Sequence, residues 1–158
     1  MKKSVNLRIT STQYIENLKP SGEAFRRELE LEDTMEILTE GTMYSRNNAT
    51  YITYEEAEAL GTEDVRTLVK LEDGSIRIRK YARDEEDEGM DMTLKPGILN
   101  ITRYQIPMMP SVNLEVYTNK LEDNLDEDGY GKVSVDYKIR FDKFFSRRNI
   151  LEIEVKPS

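Results

Sequence analysis

The sequence contains neither cysteine nor histidine. That removes disulfides, thiolate nucleophiles, Cys/His zinc sites and Ser-His-Asp triads together. Acid–base chemistry near neutral pH would fall to a carboxylate, lysine or tyrosine with a strongly shifted pKa, so a non-enzymatic protein is expected. No apolar run is long enough to span a bilayer as a helix. The start, Met1-Lys2-Lys3-Ser4-Val5, has the charge of a signal peptide without the apolar stretch behind it, and a cytoplasmic protein is expected. Tryptophan is absent and prolines number only 5.

Charge and alternation are what the chain does have. Its 158 residues, the length of a single domain (1–158), are 34% charged and 37% hydrophobic, with a formal net charge of −8. The acidic balance speaks against nucleic acid and anionic membrane as partners. From Val65 to Lys80 two period-two runs flank Asp73-Gly74: Val65, Thr67, Val69 and Leu71, then Ile76 and Ile78. Such runs joined by Asp-Gly predict a β-hairpin. Val5, Leu7 and Ile9 predict a first strand, and Val112–Thr118, Val133–Phe141 and Leu151–Val155 predict the last ones. Glu23–Leu31 reads as strand or helix, because Phe25 and Leu29 are four apart. Glu55–Leu60 reads as a helical turn closed by Gly61, and Gly41 as a bulge or bend. Leu99 and Ile101 share one parity and Tyr104 and Ile106 the other, which predicts a bulge between them.

Together these segments predict an all-β fold, a closed or nearly closed antiparallel barrel of about eight to ten strands, with a sandwich as the alternative. Pro107 and Pro110 place Tyr104–Pro110 at an edge or crossing, and Met108 and Met109 beside it suit a contact surface, so a homodimer is expected.

Several segments resemble the YwiB-like family of bacterial proteins. They are Glu32-Asp33-Thr34-Met35-Glu36-Ile37-Leu38-Thr39-Glu40-Gly41, Tyr51-Ile52-Thr53-Tyr54-Glu55-Glu56, Thr67-Leu68-Val69-Lys70, Val116-Tyr117-Thr118 and Gly131-Lys132-Val133-Ser134-Val135-Asp136-Tyr137. The resemblance runs from about residue 32 to the end and implies a calycin-like, lipocalin-type barrel of unknown function. Two places depart from the family pattern: Arg79 is followed by Lys80-Tyr81, and Tyr104–Ser111 lacks the family's Tyr-x-Thr-Pro-Tyr-Gly. Glu23–Leu31 has the look of an insertion.

Motifs that carry chemistry are few. Asn124, Asp126, Asp128 and Gly129 match the first ligands of a calcium loop, but Val135 stands where the bidentate glutamate belongs. Asp84–Glu88 reads as a solvated acidic loop and Lys143–Arg148 as a basic-aromatic loop at a barrel end. No metal and no cofactor is expected. Candidate ligand-binding residues are the polar groups in phase with apolar strand faces, Thr67, Thr118 and Tyr137, together with Tyr54, Glu55 and Arg79. Arg79 is out of phase with Ile76 and Ile78, so it faces outward unless a bulge turns it inward, where Glu55 or Glu56 would balance it. These residues point to a small-molecule ligand in the lumen or mouth. The alternative is an interaction protein whose lumen its own side chains fill.

Overall fold

A computed structural model describes residues 2–55, 65–82, 88–104, 112–140 and 146–158. Ten strands and no helix occur among them: β1 (Lys3–Ser21), β2 (Ala24–Arg46), β3 (Ala49–Glu55), β4 (Val65–Glu72), β5 (Ser75–Ala82), β6 (Glu88–Leu94), β7 (Leu99–Tyr104), β8 (Val112–Leu125), β9 (Gly131–Arg140) and β10 (Ser146–Pro157). Apart from β6 and β7, each strand pairs antiparallel with its sequence neighbour, and β10 returns to pair with β1. The order β6-β5-β4-β3-β2-β1-β10-β9-β8-β7 is therefore a meander that closes on itself everywhere except between β6 and β7. At that seam Asn100 Nδ2 donates to the Thr93 carbonyl across 2.8 Å. The result is a nearly closed barrel.

Alternation explains the layering. Val5, Leu7 and Ile9 on β1, Val69 and Leu71 on β4, Ile76 and Ile78 on β5 and Ile153 and Val155 on β10 are all buried in one core. Their neighbours in sequence face out and pair in charge: Arg8 with Glu36 at 3.0 Å, Arg77 with Asp91 at 2.6 Å and Arg148 with Asp136 at 2.5 Å. An apolar inside with a charged outside is the reverse of the transmembrane barrel pattern. The Asp73-Gly74 hairpin forms as expected, with Gly74 at φ 75° between the paired residues Glu72 and Ser75.

Several expectations change. Of Glu23–Leu31, which read as strand or helix, Ala24–Leu31 is strand and Glu23 lies in the turn before it: Ala24 to Leu31 ladder against Tyr14–Ser21, and those backbone bonds outweigh the Phe25–Leu29 spacing. Gly41 is not a bulge, since β2 keeps its register there. It is a close approach, because a Cβ at Gly41 would sit 2.6 Å from Leu7 Cδ1 and 2.7 Å from the Thr53 carbonyl oxygen. Register shifts fall instead at Gln13/Tyr14, Lys80/Tyr81 and Thr118/Lys120. There is no shift between Leu99 and Tyr104, where the pairing with β8 is continuous. Leu99 and Ile101 simply face out and are exposed, beside Tyr117. Of the helical turn expected at Glu55–Leu60, Glu55 instead ends β3 and residues 56–60 lie outside the described residues, as do residues 84–87 of the acidic run and Met108–Met109.

The strand ends flanking residues 56–64, 83–87, 105–111 and 141–145 all lie at one end of the barrel, called here the loop end. The turn between β1 and β2 at Gly22-Glu23 lies there too, while the remaining turns and both chain termini lie at the other end. At that opposite end the calcium-like segment is a hairpin turn: Asp126 Oδ1 accepts from the Asp128 and Tyr130 amides, each at 2.9 Å, and Val135 is in the core.

Candidate functional site

Cross-strand partners in a sheet share a face, so the register shows which polar side chains enter the lumen together. Thr118 on β8 pairs with Tyr137 on β9, Tyr137 with Asn149 on β10, and Asn149 with Gln13 on β1. These four positions form one arc on the inner face, across four adjacent strands. A second arc runs Tyr54, Thr67, Lys80 over β3, β4 and β5. Both arcs lie toward the loop end. Away from it the inner face is apolar, with Val5, Ile76, Leu94, Val133 and Val155 fully buried.

The first arc is short of hydrogen bonds. Thr118 is 0% exposed and Asn149 5%, yet Thr118 Oγ1 and Asn149 Nδ2 have no partner among the described residues. Tyr137 is 8% exposed, its phenol likewise makes no hydrogen bond to a described residue, and burial alone pushes its pKa up to about 12. The phenol therefore stays neutral and keeps its proton to donate. Buried polar groups are nearly always satisfied, and each orphan costs about 1–3 kcal/mol. Two such orphans flank the Tyr137 phenol on one arc, which suits a group that accepts hydrogen bonds.

The arc is held by ion pairs on the outer face behind it. Asp136 and Arg148, the residues before Tyr137 and Asn149, join through Arg148 Nε to Asp136 Oδ1 at 2.9 Å, which holds the Asp136 carboxyl below its usual range. Lys138 reaches Glu16 at 2.8 Å. At the arc's β1 end, Gln13 Nε2 donates to Glu32 at 2.6 Å and Arg147 Nε to the same carboxylate at 2.8 Å, lowering the Glu32 pKa, with the Gln13 bond the larger cause. The register shift that leaves Asn119 unpaired sits directly after Thr118.

Of the sequence candidates, Thr118 and Tyr137 come together on the first arc, and Tyr54 and Thr67 face each other on the second. Glu55 and Arg79 do not join them. Glu55 is exposed at the end of β3, opposite Arg66 on the outer face. Arg79 also faces out, with Nε 3.9 Å from Asp91 and its guanidinium 5.5 Å from the Tyr81 ring centroid. Its neighbouring carboxylate is thus Asp91, which Arg77 holds below its usual pKa. Asn149, Gln13 and Lys80 complete the arcs and were not singled out from sequence. The signal was there: Asn149 shares parity with Ile153 and Val155, Gln13 with Leu7 and Ile9, and Lys80 with Ile76 and Ile78.

A concavity lies on the outer face. Ser4, Leu38, Glu40, Thr53, Glu55 and Arg66 are among the residues lining an open groove of about 660 Å³ where β2 parts from β3. Neither Glu40 nor Glu55 has an ion-pair partner among the described residues.

Among known proteins, the uncharacterized β-barrel protein YwiB of Bacillus subtilis (strain 168) is 26% identical over 106 residues, 67% of this chain and 69% of that one. The crystal structure of the Bacillus subtilis ywiB protein superposes with a TM-score of 0.61 at 18% identity, covering 96% of this chain and 92% of that one. That likeness carries the fold. The domain of unknown function DUF1934 matches residues 23–153, and the chain belongs to that family.

Proposed function

We propose that the protein is a non-enzymatic, cytoplasmic binder of a small molecule, held at the loop end of the barrel lumen by hydrogen bonds into the ligand's acceptor atoms. The observation that carries this is the row of donors on the inner face: Thr118 Oγ1 and Asn149 Nδ2, both buried without a partner among the described residues, and the Tyr137 phenol between them. All three donate, and none is charged, so a carbonyl, amide or carboxylate fits them. Adjacent strands lie about 4.8 Å apart, so the three donors span roughly 10 Å, the scale of a small metabolite. The apolar remainder of the lumen gives such a ligand a dry floor.

Among the described residues no pattern in the lumen supports catalysis. Tyr137, the inner-face group among them with a strongly shifted pKa, is shifted away from neutrality and is a poor base at physiological pH.

The test is a melting-temperature screen of the wild-type protein and of Asn149→Leu against a panel of small amides, carboxylates and ketones. A ligand that stabilises the folded state raises the melting temperature by mass action. The reading expects at least one compound that raises it for the wild type and fails to do so for Asn149→Leu. Equal shifts in both proteins for every active compound would contradict it, as would a panel with no active compound.

A further inference from the structure

The donor row is too deeply buried to be reached through a static wall. Thr118 is fully buried and Tyr137 and Asn149 nearly so, so a molecule gains them only when part of the barrel moves. The strand least able to resist is β7. It has 6 residues and ladders with β8 alone, because no backbone pairing joins it to β6. Among the described residues it places no side chain in the core. Its apolar residues Leu99 and Ile101 point to solvent, 55% and 69% exposed. Its inner-face position opposite the core residue Val116 is polar, Asn100. Over Leu99–Ile101 the alternation is thus the reverse of the neighbouring strands', and the burial that holds those strands does not hold this one. Elements with few buried apolar contacts open first. Across the seam β6 is firmly held: Met92 and Leu94 are in the core, and β5 ladders with it from Ile76 to Tyr81.

The seam is fastened at its foot. Ile98 N donates to the Lys95 carbonyl at 3.0 Å and Gly97 N to the Thr118 carbonyl at 2.9 Å, and Pro96 forms a bridge with Thr118. Just above, the Asn100 side chain holds the Thr93 carbonyl at 2.8 Å. From there to the loop end no hydrogen bond among the described residues crosses from β7 to β6. The foot of the seam is also where the donor row begins, since Thr118 is the residue that Gly97 and Pro96 hold.

We propose that the seam between β6 and β7 is the entrance to the lumen, a proposal that rests on the lumen being the binding site. Strand β7 swings outward on its ladder with β8, the Asn100–Thr93 hydrogen bond parts, and the ligand passes between β6 and β7 to the donor row, meeting Thr118 first. The motion breaks that one bond and pulls no described β7 side chain out of the core.

Access can be read without any ligand. The chain has no cysteine, so Thr118→Cys carries a single thiol at a fully buried point of the lumen. Its rate of alkylation by iodoacetamide measures how often the lumen opens. Asn100→Ala raises that rate at least about tenfold, and Asn100→Asp, which keeps the shape and loses the donor, does the same. Arg8→Gln, which breaks the ion pair with Glu36 on the opposite wall, leaves the rate unchanged. At low urea the rate is flat, because the opening is local, and it rises steeply only where the whole barrel unfolds. A rate that neither Asn100 variant alters overturns the proposal, as does a rate that follows global unfolding at every urea concentration. The melting-temperature panel tells the two failures apart. Active compounds with an unaltered alkylation rate leave the protein a binder and move its entrance elsewhere. With no active compound the ligand fails first, and a seam that opens is then no entrance.

Discussion

Replacing Thr118 by valine should make the protein more stable. Thr118 is 0% exposed, and its hydroxyl has no partner among the described residues. Valine keeps the β-branched shape and the strand preference, so packing is retained. In the unfolded chain the threonine hydroxyl is hydrated, and folding strips that water without replacing it. The stranded group costs about 1–3 kcal/mol, and the methyl that replaces it adds up to about 0.8 kcal/mol of burial. A net gain of about 1–3 kcal/mol follows. For a domain of this size each kcal/mol moves the melting temperature by about 2–4 °C, so the rise should be several degrees. Urea unfolding at unchanged m-value is the assay, since it reads stability separately from compactness. An ordinary buried threonine gives the opposite sign, losing about 0.5–1.5 kcal/mol with its hydrogen bond. A destabilised Thr118→Val would therefore refute the claim that the hydroxyl is unsatisfied. If the lumen holds the ligand proposed above, the same variant should bind it more weakly.

Tyr137→Phe should change stability by no more than about 0.5 kcal/mol, because the phenol it removes bonds to no described residue; a loss above about 1 kcal/mol in urea unfolding would expose a hidden partner. The Tyr137 pKa is raised to about 12 in the folded state from 10.0. Its contribution is thus fully present below pH 10 and is lost as pH rises from 10 toward 12, a loss that Tyr137→Phe should abolish in alkaline unfolding. Asp91 and Asp136 have the opposite sign: each is held below 3.8, chiefly by Arg77 and Arg148, so their stabilisation is present above about pH 4 and fades as pH falls below it. Asp136→Asn should flatten part of that acid limb while costing at most about 1 kcal/mol at neutral pH, as surface pairs do. Gly41→Ala should cost about 1–3 kcal/mol, since its methyl meets the Thr53 carbonyl at 2.7 Å and backbone gives way less easily than a side chain; a neutral result in thermal melting would show that β2 and β3 separate there.

Much of the barrel was legible because its inner face is apolar and its outer face charged, so period-two alternation marks strand after strand. The hairpin at Asp73-Gly74 and the inward Thr67 and Tyr137 follow from that alone. Alternation misleads where an apolar residue faces out: Leu99 and Ile101 read as a core face followed by a bulge, whereas they are exposed on an unbroken strand. The true register shifts involve Asn119 and the residues beside Gln13 and Lys80, and an extra polar residue in a strand leaves no mark in sequence. The length of β2 was hidden as well, since Phe25 and Leu29 fit a helix as well as a strand. Within the candidate site, Asn149 and Lys80 were readable by parity. What made them escape notice is that a single polar residue in a strand looks like any solvent-facing one until cross-strand register brings it beside Tyr137 or Thr67.

The most direct measurement of the central claim is an electron-density map of the lumen from crystals of the protein as purified, with nothing added. The account predicts density for a small molecule, with acceptor atoms within hydrogen-bond distance of Thr118 Oγ1, the Tyr137 phenol and Asn149 Nδ2. A lumen filled by the protein's own side chains, with the Thr118 and Asn149 donors bonded to backbone carbonyls, would contradict it.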